Sequence, residues 1–568
     1  MNRGERSAAG RRRSGPASPA SAFASRTATR GAVLHLVAHP ADVLAVTGPE
    51  LLRAASEPGP ALTVVSLAAQ DAHGRRTLLD ALGRGSAWHE HDERLAAGDA
   101  TLRLRIHTLA AGPDVQVCFV DGPVRLLPGA PEDLVDCADA LIDRFEPTRL
   151  CTLDPDPAHT AYDSAAGAER SDHPEHTAVA QAVLEAVARR ADEDRQGPLV
   201  VESFRAAGPC DRGEVPPAAV NRYPGRRVWL TRGSDGRLTA YAALDGGVVR
   251  WTEKTAGGSE WTRQRLDTPA LLPVLSVAQT PEGWVHLVSL SRKPEDSGSA
   301  VVEVMHAVQY QTGRPLADWR SLGNPHGRHT DRGRELGVPV AVADAHGGVH
   351  VFTRNFSQYL TGRSQKQNGV WGSWADLVGG KVLDGIATVL GDDGRPEVFA
   401  ATPTGVGRWR RGPDGQLRQA RDRLPLIAAE GTPVSALSTG PGLATVYGCD
   451  ARDGGLYAFR TDGMAASAGG SGRHGATALR AFADGYDCTV LLQRSAEGPT
   501  AIGVCVTGHE QSGLWWELSG EQGIGEPAGA LDAFGNLVVA SLRPDGRLDV
   551  ARQDASRQGL ALGGWMTV

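Results

Sequence analysis

The chain has 568 residues, several times the length of a typical domain, so we expect two or more domains. Hydrophobic residues make up 41% and charged residues 22%, and no apolar run approaches eighteen residues. This composition excludes a disordered polymer and a membrane-spanning protein, and it predicts a soluble globular chain. The formal net charge of -7 argues against nucleic acid as the main partner. The seven cysteines form no CxxC pair and are interpreted mostly as buried thiols.

Residues 1–30 differ from the rest of the chain. They contain seven arginines and one glutamate, a net charge of +6, among Ser, Ala, Gly and Pro. We therefore expect a disordered basic tail. Arg11, Arg12 and Arg13 suggest a twin-arginine export signal, but the following segment lacks a convincing apolar stretch. A cytoplasmic location is favoured, and secretion is the alternative.

Residues 31–217 alternate strand and helix patterns, which is typical of an α/β domain. Predicted strands are VLHLVAH at 33–39, LTVVSLAA at 62–69, TRLCTLDP at 148–155 and LVVESFRA at 199–206, and predicted helices cover 131–145 and about 176–190. The alternation predicts a Rossmann-like parallel sheet with helices on both faces. Because ligands of such folds bind beyond the carboxyl ends of the strands, residues directly after a strand deserve the closest inspection.

Residues 226–568 show a different pattern, in which short alternating segments are separated by Gly-rich turns. The turn glycines stand at 236, 283, 347, 394, 442, 485 and 535, with spacings of 47, 64, 47, 48, 43 and 50 residues. A period in the forties with several strands per repeat is typical of a propeller blade, so we predict a lectin-like, seven-bladed, all-β propeller. Nine tryptophans near the repeat ends are expected to pack between blades or line an outer face, with sugar stacking as the alternative: Trp251, Trp261, Trp319, Trp371, Trp374, Trp409, Trp515, Trp516 and Trp565.

Two short clusters in the first domain contain candidate metal ligands. In LVAHPADVLAV, His39 and Asp42 follow a predicted buried strand. In SDHPEHTAVAQAV, His173 and His176 stand at the start of a predicted helix. Imidazole nitrogens and carboxylate oxygens are both zinc ligands. Each cluster alone is a weak signal, since a histidine near a strand end is more often a hydrogen-bonded structural residue.

Together, the two motifs over residues 32–215 resemble the PIG-L/LmbE family of zinc-dependent N-deacetylases, whose motifs run AHPDDE or AHPDDD and HPDH. The segment TLDPDPAHTAYD at 152–163 precedes the second motif, an order familiar from actinobacterial members with further C-terminal domains. The resemblance implies that His39, Asp42 and His176 hold Zn²⁺ and that His173 stabilises the oxyanion. An open coordination position would remain for water or substrate.

The chain departs from the family pattern at the position of the general base. The family aspartate that would deprotonate the metal-bound water is Ala41 here, and the neighbouring acidic position is Val43. Asp172 and Glu175 are candidate replacements, and Glu175 is also a candidate orienter of a neighbouring histidine. Because general-base catalysis contributes about 10²- to 10⁴-fold, slow hydrolysis remains compatible with this substitution.

The charged run HEHDE at 89–93 is interpreted as a solvated loop or helix face rather than a cation site. The predicted function is zinc-dependent removal of an N-acetyl group from an amino sugar or glycoconjugate, in an enzyme that Ala41 impairs. The propeller would then bind a polysaccharide or cell-surface glycan. The alternative is a catalytically degenerate, deacetylase-like protein that acts in carbohydrate binding or docking.

Overall fold

The computed structural model describes most of the chain from residue 31 onward. Within 31–568 the description omits residues 57–58, 69–70, 123, 128–130, 157–159, 164–167, 172, 194, 196–198, 206–219, 225–227, 295–299, 328–329, 334, 367–368, 413, 430, 471–474 and 496–497. The predicted basic tail therefore lies outside the described residues. Among the helices that the structure describes, none is long and apolar enough to cross a membrane.

The first region is built on one eight-stranded mixed sheet. Its elements in chain order are β1 (Ala32–Val37), α1 (Asp42–Ala54), β2 (Ala61–Ser66), α2 (Ala72–Gly83), β3 (Trp88–Ala97), β4 (Ala100–Leu109), β5 (Val115–Asp121), α3 (Glu132–Phe145), β6 (Arg149–Leu153), the hairpin β7 (Thr160–Asp163) and β8 (Ala168–Ser171), α4 (Pro174–Asp192), β9 (Val200–Arg205) and β10 (Val220–Asn221). The strand order across the sheet is β10-β9-β6-β1-β2-β5-β4-β3. The five central strands are parallel, whereas β10, β4 and β3 are antiparallel to their neighbours.

The central strands are parallel because their sequences are nearly continuous apolar runs. Leu34 and Leu36 on β1 and Val64 and Val65 on β2 are completely buried, as expected for strands covered on both faces. α3 and α4 pack against each other, and all of these side chains belong to a single hydrophobic cluster. The predicted parallel strands are thus confirmed for the centre of a mixed sheet. The finer prediction of a Rossmann-like layering with helices on both faces stays a prediction.

The hairpin of β3 and β4 corrects the interpretation of the charged run at 89–93. This run is an edge strand, not a loop or helix face, and it pairs with β4 along its whole length. It forms a strand because β4 alternates Leu102, Leu104 and Ile106 into the core with polar residues outward. The exposed charges on β3 lie along the free edge, where they discourage pairing with another chain.

The second region consists of seven four-stranded antiparallel sheets in chain order. Blade 1 contains β11 (Leu230–Arg232), β12 (Leu238–Leu244), β13 (Gly247–Glu253) and β14 (Trp261–Arg265), and blade 2 contains β15 (Ser276–Gln279), β16 (Val285–Pro294), β17 (Ala300–Gln309) and β18 (Arg320–Gly323). Blade 3 contains β19 (Val340–Ala343), β20 (Val349–Arg354), β21 (Leu360–Ser364) and β22 (Ala375–Asp376), blade 4 contains β23 (Ile386–Leu390), β24 (Pro396–Thr402), β25 (Gly405–Arg411) and β26 (Leu417–Gln419), and blade 5 contains β27 (Ser435–Gly440), β28 (Leu443–Cys449), β29 (Leu456–Arg460) and β30 (Ala465–Gly469). Blade 6 contains β31 (Ala476–Ala483), β32 (Tyr486–Arg494), β33 (Thr500–Val506) and β34 (Trp515–Ser519), and blade 7 contains β35 (Ile524–Leu531), β36 (Leu537–Leu542), β37 (Leu548–Arg552) and β38 (Met566–Thr567). A short helix α5 (Thr330–Gly333) precedes blade 3, and a 3₁₀ turn (Glu510–Ser512) lies within blade 6. The predicted seven-bladed propeller is confirmed.

The recurring glycines occupy one equivalent turn in every blade. All seven lie between the first and second strands and have positive φ, from +65° at Gly442 to +89° at Gly283. Residues with a Cβ rarely adopt this left-handed conformation, so a tight turn at this place requires glycine. The repeat visible in the sequence is therefore a repeat of backbone geometry.

The ring closes through side chains rather than through an exchanged strand, since each blade is made of consecutive strands. The indole N–H of Trp229, just before blade 1, donates to the carbonyl of Glu526 in blade 7 at 3.0 Å. Arg552 of blade 7 forms an ion pair with Glu253 of blade 1, whose side chain is completely buried. The predicted proximity of the first and last blades is confirmed.

The edge of the sheet at β9 and β10 lies against the propeller. Leu199 and Asp245 exchange two hydrogen bonds, one of them from the Asp245 amide to the Leu199 carbonyl at 2.9 Å. The buried guanidinium of Arg222 lies 3.7 Å from both Asp154 and Asp156 of the first region and 3.5 Å from Asp384 of the propeller. This arrangement covers a sheet edge that would otherwise be exposed.

Candidate functional site

The first cluster lies in the tight connection between β1 and α1. The carboxylate Oδ2 of Asp42 accepts a hydrogen bond from the backbone N–H of His39 at 2.6 Å, while the Asp42 amide donates to the His39 carbonyl at 3.2 Å. These two bonds fix the turn and hold Asp42 at the first position of α1. Ala41 between them contributes a methyl group and no proton acceptor.

The second cluster forms the amino terminus of α4. His173 is the N-cap residue, and its Nδ1 accepts a hydrogen bond from the backbone N–H of Glu175 at 3.3 Å. Pro174 occupies the first helical position, where its missing N–H costs nothing. His176 follows one turn later and is buried, whereas His173 is exposed.

The fold brings the two clusters together although 136 residues separate His39 from Glu175. Nε2 of His39 lies 2.5 Å from Oε2 of Glu175, and Nε2 of His176 lies 3.1 Å from Oδ1 of Asp42. The ring centroids of His39, His173 and His176 are 5.5 to 6.4 Å apart. The motif residues therefore converge as two imidazole–carboxylate pairs with a third imidazole beside them.

Within the part of the chain that the structure describes, one group of three side chains has metal-ligating atoms that all lie within 4.8 Å of one another: His39, His173 and Glu175. Two imidazoles and one carboxylate are a donor set that binds zinc in catalytic sites. The residues present thus fit the metal that the family resemblance implies. Asp42 and His176 are adjacent to this group as a separate pair.

Of the residues singled out from the sequence, His39, Asp42, His173, Glu175 and His176 all lie in this cluster. Asp172, the other candidate base, lies outside the described residues. The assignment of metal ligands among the five stays a prediction. What the sequence did not indicate is the contact between Glu175 and His39, because only the fold brings the two motifs into register.

The propeller carries a second candidate site, a cavity of about 550 Å³ bordered by blades 1, 2 and 7. Its lining residues come from the first strands and first turns of these blades or from just before them, and they include the polar residues Thr231, Arg232, Ser234, Gln279 and Thr280. The volume lies within the range of about 300 to 1,000 Å³ that is usual for small-molecule sites.

An exposed tryptophan follows the cavity lining directly in the sequence, and an exposed tyrosine contacts it. Trp284 follows the lining residue Gly283 directly and is 41% exposed; Tyr310, at the end of β17, is 56% exposed. Their ring centroids are 5.1 Å apart in an edge-to-face arrangement. Neither residue was among the tryptophans singled out from the sequence. The available signal was an aromatic residue directly after a repeat turn.

The cysteines within the described residues play no part in either site. The six that the structure describes carry free thiols, and all except the half-buried Cys505 are buried, as the sequence predicted. Burial raises the pKa of the Cys137 thiol to about 12. These thiols are therefore unreactive structural residues.

No family model matches this chain, and no curated protein matches it. Among solved structures it is similar to the BP39L lectin from Burkholderia pseudomallei, with 13% identity, a TM-score of 0.47, and coverage of 60% of this chain and 99% of that chain. It is also similar to the SapL1 lectin in complex with alpha methyl fucoside, with 14% identity, a TM-score of 0.34, and coverage of 61% and 96%. A third similar structure is AofleA from Arthrobotrys oligospora, with 12% identity, a TM-score of 0.34, and coverage of 61% and 88%.

At these identities and TM-scores, the assignment of seven blades depends on the strand pairing described above and not on the likeness. The resemblance to zinc-dependent deacetylases likewise depends on the two histidine motifs alone, since no family model matches.

Proposed function

We propose that the protein is a carbohydrate-binding protein whose propeller holds a polysaccharide or glycoconjugate beside Trp284 and Tyr310. The supporting observation is the exposed aromatic pair, in which Trp284 directly follows the lining residue Gly283 of a cavity that also has polar lining residues. A pyranose has one face of C–H groups that packs on an aromatic ring and hydroxyl groups around its edge that require hydrogen-bonding partners. Both requirements are met within one short stretch of surface.

The polar partners for a sugar are the side chains of Arg232 and Ser234. Both residues line the cavity and are exposed at the turn of blade 1. A guanidinium donates several hydrogen bonds in a plane, and hydroxyl groups donate and accept. The site would select a ligand rich in hydroxyl groups over an apolar one.

The test is titration calorimetry of the full chain with a panel of soluble oligosaccharides that includes N-acetylglucosamine oligomers. Trp284→Ala is expected to lower the affinity for the tightest-binding sugar by about tenfold, as for an aromatic residue that contacts its ligand. Trp515→Ala is the matched control, because Trp515 is an exposed tryptophan on the outer strand of blade 6. Equal affinity of wild type and Trp284→Ala, or binding to no sugar of the panel, would exclude this site.

The histidine cluster favours a second candidate function, zinc-dependent removal of an N-acetyl group from an amino sugar. Zinc bound there would polarise the acetyl carbonyl and activate water. The chain itself supplies imidazoles and the Glu175 carboxylate at hydrogen-bonding distance from His39, but only a methyl group at position 41. If the protein has this function, its hydrolysis rate is reduced because position 41 lacks a base. The first region then serves mainly as a degenerate deacetylase-like domain.

This second function is tested by zinc-loaded wild type and Ala41→Asp with N-acetylglucosamine oligomers as substrates. Restoring the carboxylate should raise the hydrolysis rate by about 10²-fold. If neither protein releases acetate, the carbohydrate-binding function stands alone. If the wild type is already fast and Ala41→Asp changes nothing, Asp172 and Glu175 are the next candidates for the base.

A further inference from the structure

Three polar side chains of blade 3 are hydrogen-bonded in series. Nδ1 of His350 lies 2.7 Å from Oγ of Ser364, and Nε2 of His350 lies 3.1 Å from Oδ2 of Asp344. We propose that they form a serine nucleophile with its general base and a positioning carboxylate, and that this site hydrolyses carboxylic esters. This activity is separate from sugar binding beside Trp284 and from the histidine cluster of the first region.

The antiparallel pairing of β20 and β21 brings the base to the nucleophile. His350 on β20 stands directly opposite Ser364 on β21, and the backbone hydrogen bond, from the Gln365 amide to the Val349 carbonyl at 2.8 Å, lies in the adjacent pair. The pair without backbone hydrogen bonds is the one whose side chains approach more closely. The ring of His350 is also parallel to that of Phe352, with centroids 6.3 Å apart, which restricts its rotation.

Asp344 fixes the tautomer of this imidazole. It lies in the turn between β19 and β20, where its Oδ1 accepts the backbone N–H groups of His346 and Gly348 at 2.9 and 2.7 Å. An ionised carboxylate only accepts hydrogen bonds, so Nε2 of His350 carries the proton and Nδ1 accepts the hydrogen bond from the Ser364 hydroxyl. A general base requires this arrangement, although the two ring nitrogens are exchanged compared with the usual serine-protease triad.

Burial and charge suit the two reacting groups to these roles. His350 and Asp344 are buried, whereas Ser364 ends β21 and is exposed. Burial lowers the pKa of His350, and this effect outweighs the opposing one of the Asp344 carboxylate. The imidazole is therefore neutral at pH 7, as a general base must be. Arg411 and Arg395 of blade 4 also lower this pKa, and their positive charge would stabilise the negative oxygen of a tetrahedral intermediate.

The reaction is an acyl transfer through an acyl-serine. Oγ of Ser364 attacks the acyl carbon while its proton passes to Nδ1 of His350, and the C–O bond of the ester then breaks as that proton passes to the leaving alcohol. Water attacks the acyl-serine in the same way and releases the acid. Because the serine is exposed, the alcohol part of the ester can be large. The substrate class is therefore esters of bulky alcohols, with an O-acylated polysaccharide as one example.

The experiment uses the full chain in the presence of a chelator, so that bound metal cannot contribute. The probes are p-nitrophenyl acetate and a fluorophosphonate, which bonds to an activated serine hydroxyl with loss of fluoride. We expect hydrolysis by wild type and a label at Ser364, located by peptide mass spectrometry. Ser364→Ala should lose the label and lower the hydrolysis rate by about 10²-fold or more. Ser321→Ala is the matched control and should keep the wild-type rate, because the exposed Ser321 hydroxyl donates to Glu303 and not to an imidazole.

Two further variants test the roles of the other groups. His350→Gln should lower the rate as much as Ser364→Ala, and the double variant should lose no more than either, because the two groups act as a unit. Asp344→Asn should lower the rate and move the acid limb of its pH profile to lower pH, because the carboxylate raises the pKa of His350.

Circular dichroism reports whether each variant folds, and if His350→Gln does not, the exposed Ser364 decides the question through Ser364→Ala. The proposal is overturned if wild type neither hydrolyses the ester nor takes the label, if the label lies on another serine, or if Ser364→Ala or a folded His350→Gln keeps the wild-type rate. Failure of sugar binding at the propeller would leave these readouts unchanged, so the two proposals are distinguishable.

Discussion

The sheet region and the propeller bury their apolar side chains in different ways. In the sheet region, strands and helices share one cluster that extends from β1 to β9. In the propeller, six separate clusters lie mostly between successive blades. A single core couples all its elements, whereas a ring of small cores depends on every interface being closed. The contacts that join the two regions and close the ring should therefore dominate stability.

Substitution of Arg222 is expected to have the largest effect on stability, because this residue joins the sheet region to the propeller. Its buried guanidinium faces Asp154, Asp156 and Asp384. Arg222→Ala would leave these carboxylates short of a cation in a buried place and should lower the free energy of unfolding by about 4 to 5 kcal/mol. Thermal and urea unfolding should then show two transitions in place of one.

The matched control for this prediction is Arg76→Ala, because Arg76 is exposed on α2 and makes a single long hydrogen bond. It should change the free energy of unfolding by less than about 0.5 kcal/mol. An Arg222→Ala protein with a single transition at an unchanged midpoint would mean that the two regions are coupled elsewhere.

Opening the contact between blades 1 and 7, which closes the ring, is expected to have the next largest effect on stability. Glu253 is completely buried, forms an ion pair with Arg552 of the last blade, and accepts the backbone N–H of Leu238 at 2.8 Å. Glu253→Gln removes the charge while keeping an oxygen acceptor and should cost about 3 to 4 kcal/mol, measured by urea unfolding. Lys254→Ala is the control, because it breaks the exposed Lys254–Glu260 pair and should cost less than about 1 kcal/mol. Similar losses in both variants would show that closure does not depend on the buried pair.

A pair of buried imidazoles inside blade 2 makes the propeller sensitive to acid. His286 and His306 stack with ring centroids 5.2 Å apart, and Nδ1 of His286 lies 2.9 Å from Nε2 of His306. Burial lowers the pKa of His286 to about 4, and burial together with His286 and Arg320 lowers the pKa of His306 to about 3. Both histidines are therefore neutral in the folded protein at pH 5.

The unfolded chain binds these protons near pH 6.5, so the unfolded state gains protons first as the pH falls. Stability is unaffected above that pH and should fall by roughly 5 kcal/mol for the two histidines together as the pH drops from 6.5 to 4. The measurement is the free energy of unfolding against pH for wild type and His286→Gln. As the pH falls, the free energy of unfolding should decrease more for wild type than for His286→Gln. Parallel curves would contradict the assignment of acid sensitivity to this pair.

The fold was predictable where one local rule repeats. Each blade needs a left-handed residue between its first two strands, and glycines such as Gly236 and Gly535 supply it at regular spacing. The parallel strands were predictable from their apolar runs. The β3–β4 hairpin was not, because the charged sequence of β3 conceals a strand that only its partner β4 stabilises. The alternation from Leu102 to Ile106 was the available signal.

The candidate sites were predictable only in part, because their geometry depends on contacts between distant residues. The sequence indicated His39, Asp42, His173 and His176 as a group and Glu175 as a base or an orienter of a histidine, but it did not indicate that Glu175 contacts His39. Whether a carboxylate at that position reaches His39 depends on how α4 docks beside β1. The same holds for Arg222, whose partners Asp154 and Asp156 lie in one segment and Asp384 in another, far away in the sequence.

The smallest expected effect on stability comes from one of two neighbouring tryptophans on β34. The pair tests whether the apolar side chains of the propeller are buried between blades. The indole N–H of Trp516 donates to the carbonyl of Ala468 in blade 5 at 2.7 Å, whereas Trp515 is 68% exposed. Trp516 therefore packs between blades whereas Trp515 is exposed, because alternate residues of a strand point to opposite faces. Trp515→Ala should change the free energy of unfolding by less than about 0.5 kcal/mol, since it removes few buried contacts. Trp516→Ala is the comparison and should cost about 2 to 3 kcal/mol in the same urea titration, because it opens the interface between blades 5 and 6. A loss of similar size in both variants would mean that Trp515 is covered in solution, for example by a second copy of the chain, and sedimentation velocity would then detect the dimer.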